Sequence, residues 1–266
     1  MIPYAFEYRR AATLAEAQTL FADAPEAKFL AGGQTLIPTM KMRLASPSRL
    51  IDISGLKELS FIRADANAVS IGAGAKHFEV AAEVKRAIPA LAYLAAHIGD
   101  PAVRHMGTIG GSVANNDPAA DYPAALLGLG ATVKTTARGI AADDFFTGMF
   151  ETDLEDGEIV TEISFPIAER AGYAKFPNPA SRYALAGVFV AKTKDGVRVA
   201  VTGAAPCVFR APDMEAALSE SFTPEAVAGI AIDAEGLNSD IHASAEYRSH
   251  LVTVMAKRAV AAALQG

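Results

Sequence analysis

Two pairs of adjacent glycines could do the most distinctive chemistry in this chain. They are Gly32-Gly33, within Ala31-Gly32-Gly33-Gln34-Thr35, and Gly110-Gly111, within Thr108-Ile109-Gly110-Gly111-Ser112. Residues without a Cβ let the backbone turn sharply and bring N–H groups close to an anion. A helix starting just after the first pair would add positive partial charge. Either pair alone reads most simply as a turn. Two of them, each flanked by hydroxyl or amide side chains, point toward a diphosphate-containing ligand. Asp121, shortly after the second pair, is a candidate acceptor for a ligand hydroxyl; the plainer reading is a surface carboxylate.

Other chemistries find little support. Ile71-Gly72-Ala73-Gly74-Ala75-Lys76-His77 imitates a dinucleotide fingerprint, but His77 stands where the third glycine belongs and no acidic residue follows about 20 residues on. It reads as an ordinary strand–helix turn. No Gly-Lys-Ser/Thr loop and no Gly-x-Ser-x-Gly elbow occurs. The five histidines lack metal-ligand spacing, so no metal site is expected. Cys207 reads as a small packed residue rather than a reactive thiolate. No catalytic acid or base is expected on this chain.

Composition narrows the field further. With 24 Lys and Arg against 30 Asp and Glu, the net charge of −6 makes nucleic acid a poor partner. A single cysteine cannot form an internal disulfide or ligate an iron–sulfur cluster. Any such cluster must sit on another polypeptide. No apolar run of about 18 residues appears, and the N-terminus lacks a signal core, so a soluble, cytoplasmic protein without membrane insertion is expected.

The elements that would carry the glycine pairs follow from periodicity and punctuation. Thr13, with Glu16 three residues on, predicts a capped helix to about Ala22. Ala27–Ala31 reads as a strand that runs into Gly32-Gly33, followed by a helix through Leu36, Ile37, Met40 and Leu44 that Pro47 closes. Strands are expected at Arg49–Ile53, Leu59–Arg63 and Ala68–Ala73, and helices over Phe78–Ile88 and from Pro89 to about Ile98. Asp100–Ser112, rich in glycine, reads as loop. Asp117-Pro118 predicts the start of a helix ending at Gly128 or Gly130. Strands follow at Ala131–Thr136 and Glu158–Pro166. Ala184–Lys192 and Val197–Thr202 form a hairpin across Lys194-Asp195-Gly196. Helices are expected at Met214–Leu218, Pro224–Ile230 and from Ala245 to Leu264. Phe176-Pro177-Asn178-Pro179 suggests a division into residues 1–176 and 177–266. The fold class is α+β.

Taken jointly, Ala31 to Pro38 with Lys41 and Arg43, Gly107–Ser112, Asp117–Asp121, Lys175-Phe176, Pro179–Ala184 and Ser244–Leu251 resemble the FAD-binding medium subunits of molybdenum hydroxylases, the family of the carbon monoxide dehydrogenase medium subunit and the xanthine dehydrogenase flavin domain. The resemblance covers nearly the whole chain. It implies a vanillyl-alcohol-oxidase (PCMH)-type FAD-binding domain of two subdomains, then a C-terminal antiparallel sheet with a helix bundle. It also implies FAD with its pyrophosphate on the amides of Gly32, Gly33, Gln34 and Thr35 beside Ala31, and on those of Ile109, Gly110 and Gly111. Hydroxyls of Thr35, Thr108 and Ser112 would assist. Asp121 would serve the sugar-chain hydroxyls, Val160 the adenine side, and Lys175 and Tyr183 the isoalloxazine. In such complexes a large molybdopterin subunit oxidises the substrate and a small [2Fe–2S] subunit relays electrons to FAD, which passes them to an external acceptor. A dimer of heterotrimers is implied. The alternatives are a stand-alone flavin oxidoreductase of the same fold and a cofactor-free docking subunit.

Overall fold

The computed structural model describes residues 2–265. Its first layer is a parallel three-stranded sheet of β1 (Glu7–Arg10), β2 (Lys28–Leu30) and β3 (Arg49–Asp52), with β3 central. Helix α1 (Leu14–Ala22) begins where Thr13 Oγ1 accepts the Glu16 N–H at 3.1 Å. Glu16 in turn accepts the Ala12 N–H at 2.8 Å, so one end N–H of the helix is satisfied and the residue before the cap is tied to the first turn. Helix α2 (Leu36–Lys41) follows the first glycine pair. It stops well short of Pro47, because Arg43 already takes a left-handed φ of 62°.

The second layer is an antiparallel sheet built from β4 (Ile62–Ala64), β5 (Ala68–Gly72), β6 (Thr132–Thr135), β7 (Gly139–Ala141) and β10 (Val160–Pro166), in the order β4-β5-β10-β6-β7. Between β5 and β6 lie α3 (His77–Glu83), α4 (Pro89–Ala96), α5 (Pro101–Met106), α6 (Ile109–Asn115) and α7 (Tyr122–Leu129). Between β7 and β10 come α8 (Ala142–Phe145) and the small pair β8 (Phe146–Gly148) and β9 (Glu151–Thr152). All eight residues of α7 are buried. A helix apolar on every side must be covered on every side, and α7 packs against β10 as well as against strands of the third layer.

That third layer is the antiparallel sheet β11 (Arg170–Pro177), β12 (Ala184–Thr193), β13 (Gly196–Thr202) and β14 (Phe209–Arg210). It is accompanied by α9 (Pro212–Glu220) and α10 (Ala245–Gln265). The expected hairpin is present, closed at Thr193↔Gly196. Leu251, Val252, Met255, Ala256, Ala259, Val260 and Ala263 form the buried stripe of α10, laid across β11 and β12. The molecule is thus α+β, a mixed N-terminal region followed by an antiparallel C-terminal sheet. The division expected after Phe176 falls inside β11, which pairs with β12 from Arg170↔Lys192 to Pro177↔Ala184.

The strand expected at Leu59–Arg63 is confined to Ile62–Ala64, and three further expected elements differ. Asp100–Ser112 is not a loop but contains α5 and the first turn of α6. Asp100 accepts the Val103 N–H at 2.9 Å, Pro101 occupies the first turn, and Thr108 Oγ1 accepts the Gly111 N–H at 3.1 Å. End-capping outweighs the poor helix propensity of glycine here. The helix expected from Asp117 starts only at Tyr122, because residues 118–120 bond to the C-terminal sheet instead: Gly203 N–H donates to Pro118 O and Thr202 Oγ1 to Ala120 O. Asp117 closes a turn by accepting the Ala119 N–H. Pro224–Ile230 forms successive turns closed by bonds such as Ala226 N–H to Thr223 O rather than a helix.

Candidate flavin-binding site

The turn between β2 and α2 carries the first glycine pair, and the start of α6 carries the second. The two meet. A Cβ built on Gly32 would overlap the Met106 carbonyl oxygen and lie 2.8 Å from Gly107 Cα. Only a residue without a Cβ allows that approach. Gly33 has φ +68°, a conformation glycine adopts without strain. Gly110 sits so close to Ala73 that a Cβ would overlap the Ala73 Cβ.

Both glycine turns line one cavity of about 570 Å³. Among the described residues, no hydrogen bond engages the main-chain N–H of Gly32, Gly33, Gln34 or Thr35. Four successive unspent amides at a turn form a concave donor set suited to an anion. The second loop differs from expectation. Its amides are spent within the fold: Ile109 N–H on Ala75 O, Gly110 N–H on Ala73 O and Gly111 N–H on Thr108 Oγ1. It offers the cavity close packing and the Thr108 and Ser112 side chains.

Ala31, Gly32, Gly33, Gln34, Thr35, Thr108, Gly110, Gly111, Ser112, Asp121, Val160 and Tyr183 all lie on the cavity wall. Two expected residues do not. Ile109 is buried in the core beneath the wall. Lys175, its side chain 7% exposed, points its Nζ at Asp121, 2.9 Å away, and donates to His97 O at 2.9 Å. Tyr173 Oη also donates to Asp121. Asp121 is therefore a buried, ion-paired carboxylate rather than a surface one. Burial raises its pKa, opposed by the Lys175 charge and the bonds from Tyr173 and Lys175.

Tyr183 projects from a tight turn in which Asn178 Oδ1 accepts the N–H groups of Ala180 and Ser181, and Asn178 N–H donates to Tyr183 O. Burial raises the Tyr183 pKa, reinforced by Asp117 and Asp121.

Sequence reading missed Ala73, Gly74 and His77, which also line the cavity. The signal was the Gly-Ala-Gly run after β5, set aside for lacking a third glycine. His77 Nδ1 lies 3.3 Å from Tyr122 Oη, and burial lowers its pKa to about 4, so it is neutral at pH 7. Phe150 was missed as well. It reaches the wall from a left-handed turn, φ 58°, whose N–H donates to Asn116 O.

These features fit a dinucleotide such as FAD: a nest of free amides for a pyrophosphate, set on a cavity whose wall is mostly apolar. Against that geometry, the family described as "FAD binding domain in molybdopterin dehydrogenase" matches residues 4–168, and the "CO dehydrogenase flavoprotein C-terminal domain" matches residues 172–263. The chain belongs to this family.

As a member of the molybdopterin dehydrogenase flavoproteins, it matches several relatives along nearly its full length. The glyceraldehyde dehydrogenase medium chain of Sulfolobus acidocaldarius is 36% identical over 276 residues, spanning 97% of this chain and 98% of that one. The carbon monoxide dehydrogenase medium chain of Hydrogenophaga pseudoflava is 36% identical over 282 residues, spanning 99% and 98%. Among solved structures, a chain of quinoline 2-oxidoreductase from Pseudomonas putida 86 superposes with a TM-score of 0.92 at 32% identity, covering 100% of this chain and 99% of that one. The family is described by its FAD binding domain, and in this chain the amides of residues 32–35 are left unspent by the fold.

Proposed function

We propose that this chain is the electron-transfer subunit of a heterotrimeric molybdenum hydroxylase. It would accept electrons from [2Fe–2S] clusters on a small partner and deliver them to an external acceptor, while a large molybdopterin partner oxidises the substrate. The observation that carries this reading is the run of unspent amides from Gly32 to Thr35 on the cavity wall, with Gly32 held against the main chain of Met106 and Gly107. Bound FAD supplies reversible electron uptake and release, which needs no general base from the protein. This chain's residues bind and orient it. The amides of residues 32–35 would hold the pyrophosphate, assisted by the Thr108 and Ser112 side chains on the same cavity wall. Asp121, kept in place by Lys175 and Tyr173, would accept from a sugar-chain hydroxyl. Val160 would pack by the adenine and Tyr183 by the isoalloxazine.

The single cysteine supports clusters carried elsewhere. Among the described residues no helix is long and apolar enough to cross a membrane; a cytoplasmic dimer of heterotrimers is part of the reading. So is a division of the chain between β10 and β11, in the short connection after Pro166, rather than after Phe176.

The test is co-purification with the chains encoded beside it. A yellow complex of three chain types that releases FAD on denaturation, and whose flavin is reduced on adding the substrate of the large subunit, is expected. A colourless chain, or a flavin-loaded chain that turns over substrate alone, would overturn the reading.

A further inference from the structure

Arg248, in the first turns of α10, is only 3% exposed and lies outside the cavity. A guanidinium that deep is costly unless its donors find acceptors. Its Nη1 donates to Leu185 O at 2.7 Å and Gly203 O at 2.9 Å, and its Nη2 to Asp240 Oδ2 at 2.7 Å. Nε has no acceptor among the described residues.

The two carbonyls need that donor because of where the β12–β13 ladder stops. Its last pair at this end is Gly187↔Thr202. Beyond it Gly203, at φ +81°, turns so close to Ala184 that a Cβ would overlap the Ala184 carbonyl oxygen. Leu185 and Gly203 thus lie past the β12–β13 ladder, and Leu185 is also the residue skipped where the β11–β12 register shifts between Phe176↔Ala186 and Pro177↔Ala184, so their buried carbonyls must find other partners.

The same end of the hairpin grips the cavity. Gly203 N–H donates to Pro118 O at 2.9 Å and Ala184 N–H to Ala119 O at 3.4 Å. Thr202 Oγ1 donates to Ala120 O at 2.6 Å, with Pro118 O at 3.2 Å. Every residue from 118 to 120 is therefore held by the end of the sheet that Arg248 ties together. The next residue along that loop is Asp121, and the residue before Ala184 is Tyr183; both are on the cavity wall.

We infer that Arg248 is a positioning residue for the flavin site: by joining Leu185 to Gly203 it fixes the hairpin end that sets Pro118–Ala120, and through them Asp121 and Tyr183, against the cofactor. This inference rests on the reading that the cavity holds FAD.

The experiment uses the full-length chain, stripped of flavin and titrated with FAD, comparing wild type with Arg248→Met, Arg248→Lys and Met255→Ala. Met255 is fully buried two turns further along α10. Its truncation weakens the helix packing without touching either carbonyl. Arg248→Met is expected to bind FAD roughly tenfold more weakly and to shift the midpoint potential of the flavin it retains. Arg248→Lys, with fewer donors, should recover only part of both. Met255→Ala should melt at lower temperature with wild-type FAD affinity and potential. Wild-type affinity and potential in Arg248→Met overturn the inference, as does an equal loss of affinity in Met255→Ala. Should Arg248→Met fail to fold, unchanged FAD affinity in folded Arg248→Lys overturns it and weakened affinity supports it. A wild-type chain without affinity for FAD overturns the parent reading as well, which separates the two failures.

Discussion

Gly32 and Met106 are in contact through their main chains: no side chain could be added at Gly32 without striking the Met106 carbonyl oxygen, with Gly107 Cα immediately behind it. Backbone atoms cannot rotate out of the way. Gly32→Ala is therefore expected to cost about 1–3 kcal/mol of stability and, by parting the two turns, to weaken FAD binding about tenfold or more. Gly229→Ala, where a Cβ meets nothing within 4 Å, serves as the control and should stay within about 0.5 kcal/mol. Urea unfolding and flavin fluorescence quenching check both.

Lys175→Met removes the cation from a buried carboxylate. Leaving Asp121 unpaired is expected to destabilise the chain by about 3–5 kcal/mol, with Asp121→Asn in the same background restoring part of the loss. The pH sign follows from burial. A carboxylate whose folded pKa is raised stabilises the fold at low pH and loses that contribution as pH rises through the folded value. The deficit of Lys175→Met relative to wild type should accordingly shrink on acidification, measured by urea unfolding across pH 5 to about 8. A pH-independent deficit refutes it.

His77 works in the opposite sense. Burial, with smaller contributions from Lys76 and Arg104, takes it from the ordinary 6.5 to about 4. The unfolded chain then binds the proton more readily, so the stability that neutral His77 allows is present above about pH 6.5 and lost as pH falls toward 4, amounting to about 3 kcal/mol. His77→Gln should flatten that part of the stability profile. An unaltered acid limb in the variant argues against the assignment.

Tyr183 is 47% exposed, so Tyr183→Ala should change stability by less than about 1 kcal/mol. Its effect belongs to the cofactor: the visible absorption envelope and fluorescence of bound FAD are expected to change while the melting temperature of the flavin-free chain does not. Identical flavin spectra in variant and wild type would remove Tyr183 from the site.

Local signals made much of this architecture readable from the residues. Thr13 with Glu16, the strand ending at Gly32-Gly33, and the Lys194-Asp195-Gly196 hairpin each act over a few positions, where capping and turn chemistry are decisive. What stayed hidden depends on distant partners. Nothing near Asp121 announces that Lys175 and Tyr173 will neutralise and bury it. Residues 118–120 carry a helix-start signature, yet hydrogen bonds from Thr202 and Gly203 hold them in a turn. Asp100–Ser112 misled in the other direction, since its caps outweigh its glycines. The wall residue Phe150 owes its place to a left-handed turn without a recognisable local cue.

The grip of the β12–β13 end on residues 118–120 also bears on recombination between relatives. A chimera that takes its first 170 or so residues from one flavoprotein and the remainder from another would seat one relative's hairpin end on another's 118–120 segment, where the fit of the two surfaces decides whether these bonds close. Swaps that exchange the hairpin together with the segment it clasps should yield soluble hybrids, whereas swaps at the obvious junction should lose their colour even when both halves remain folded.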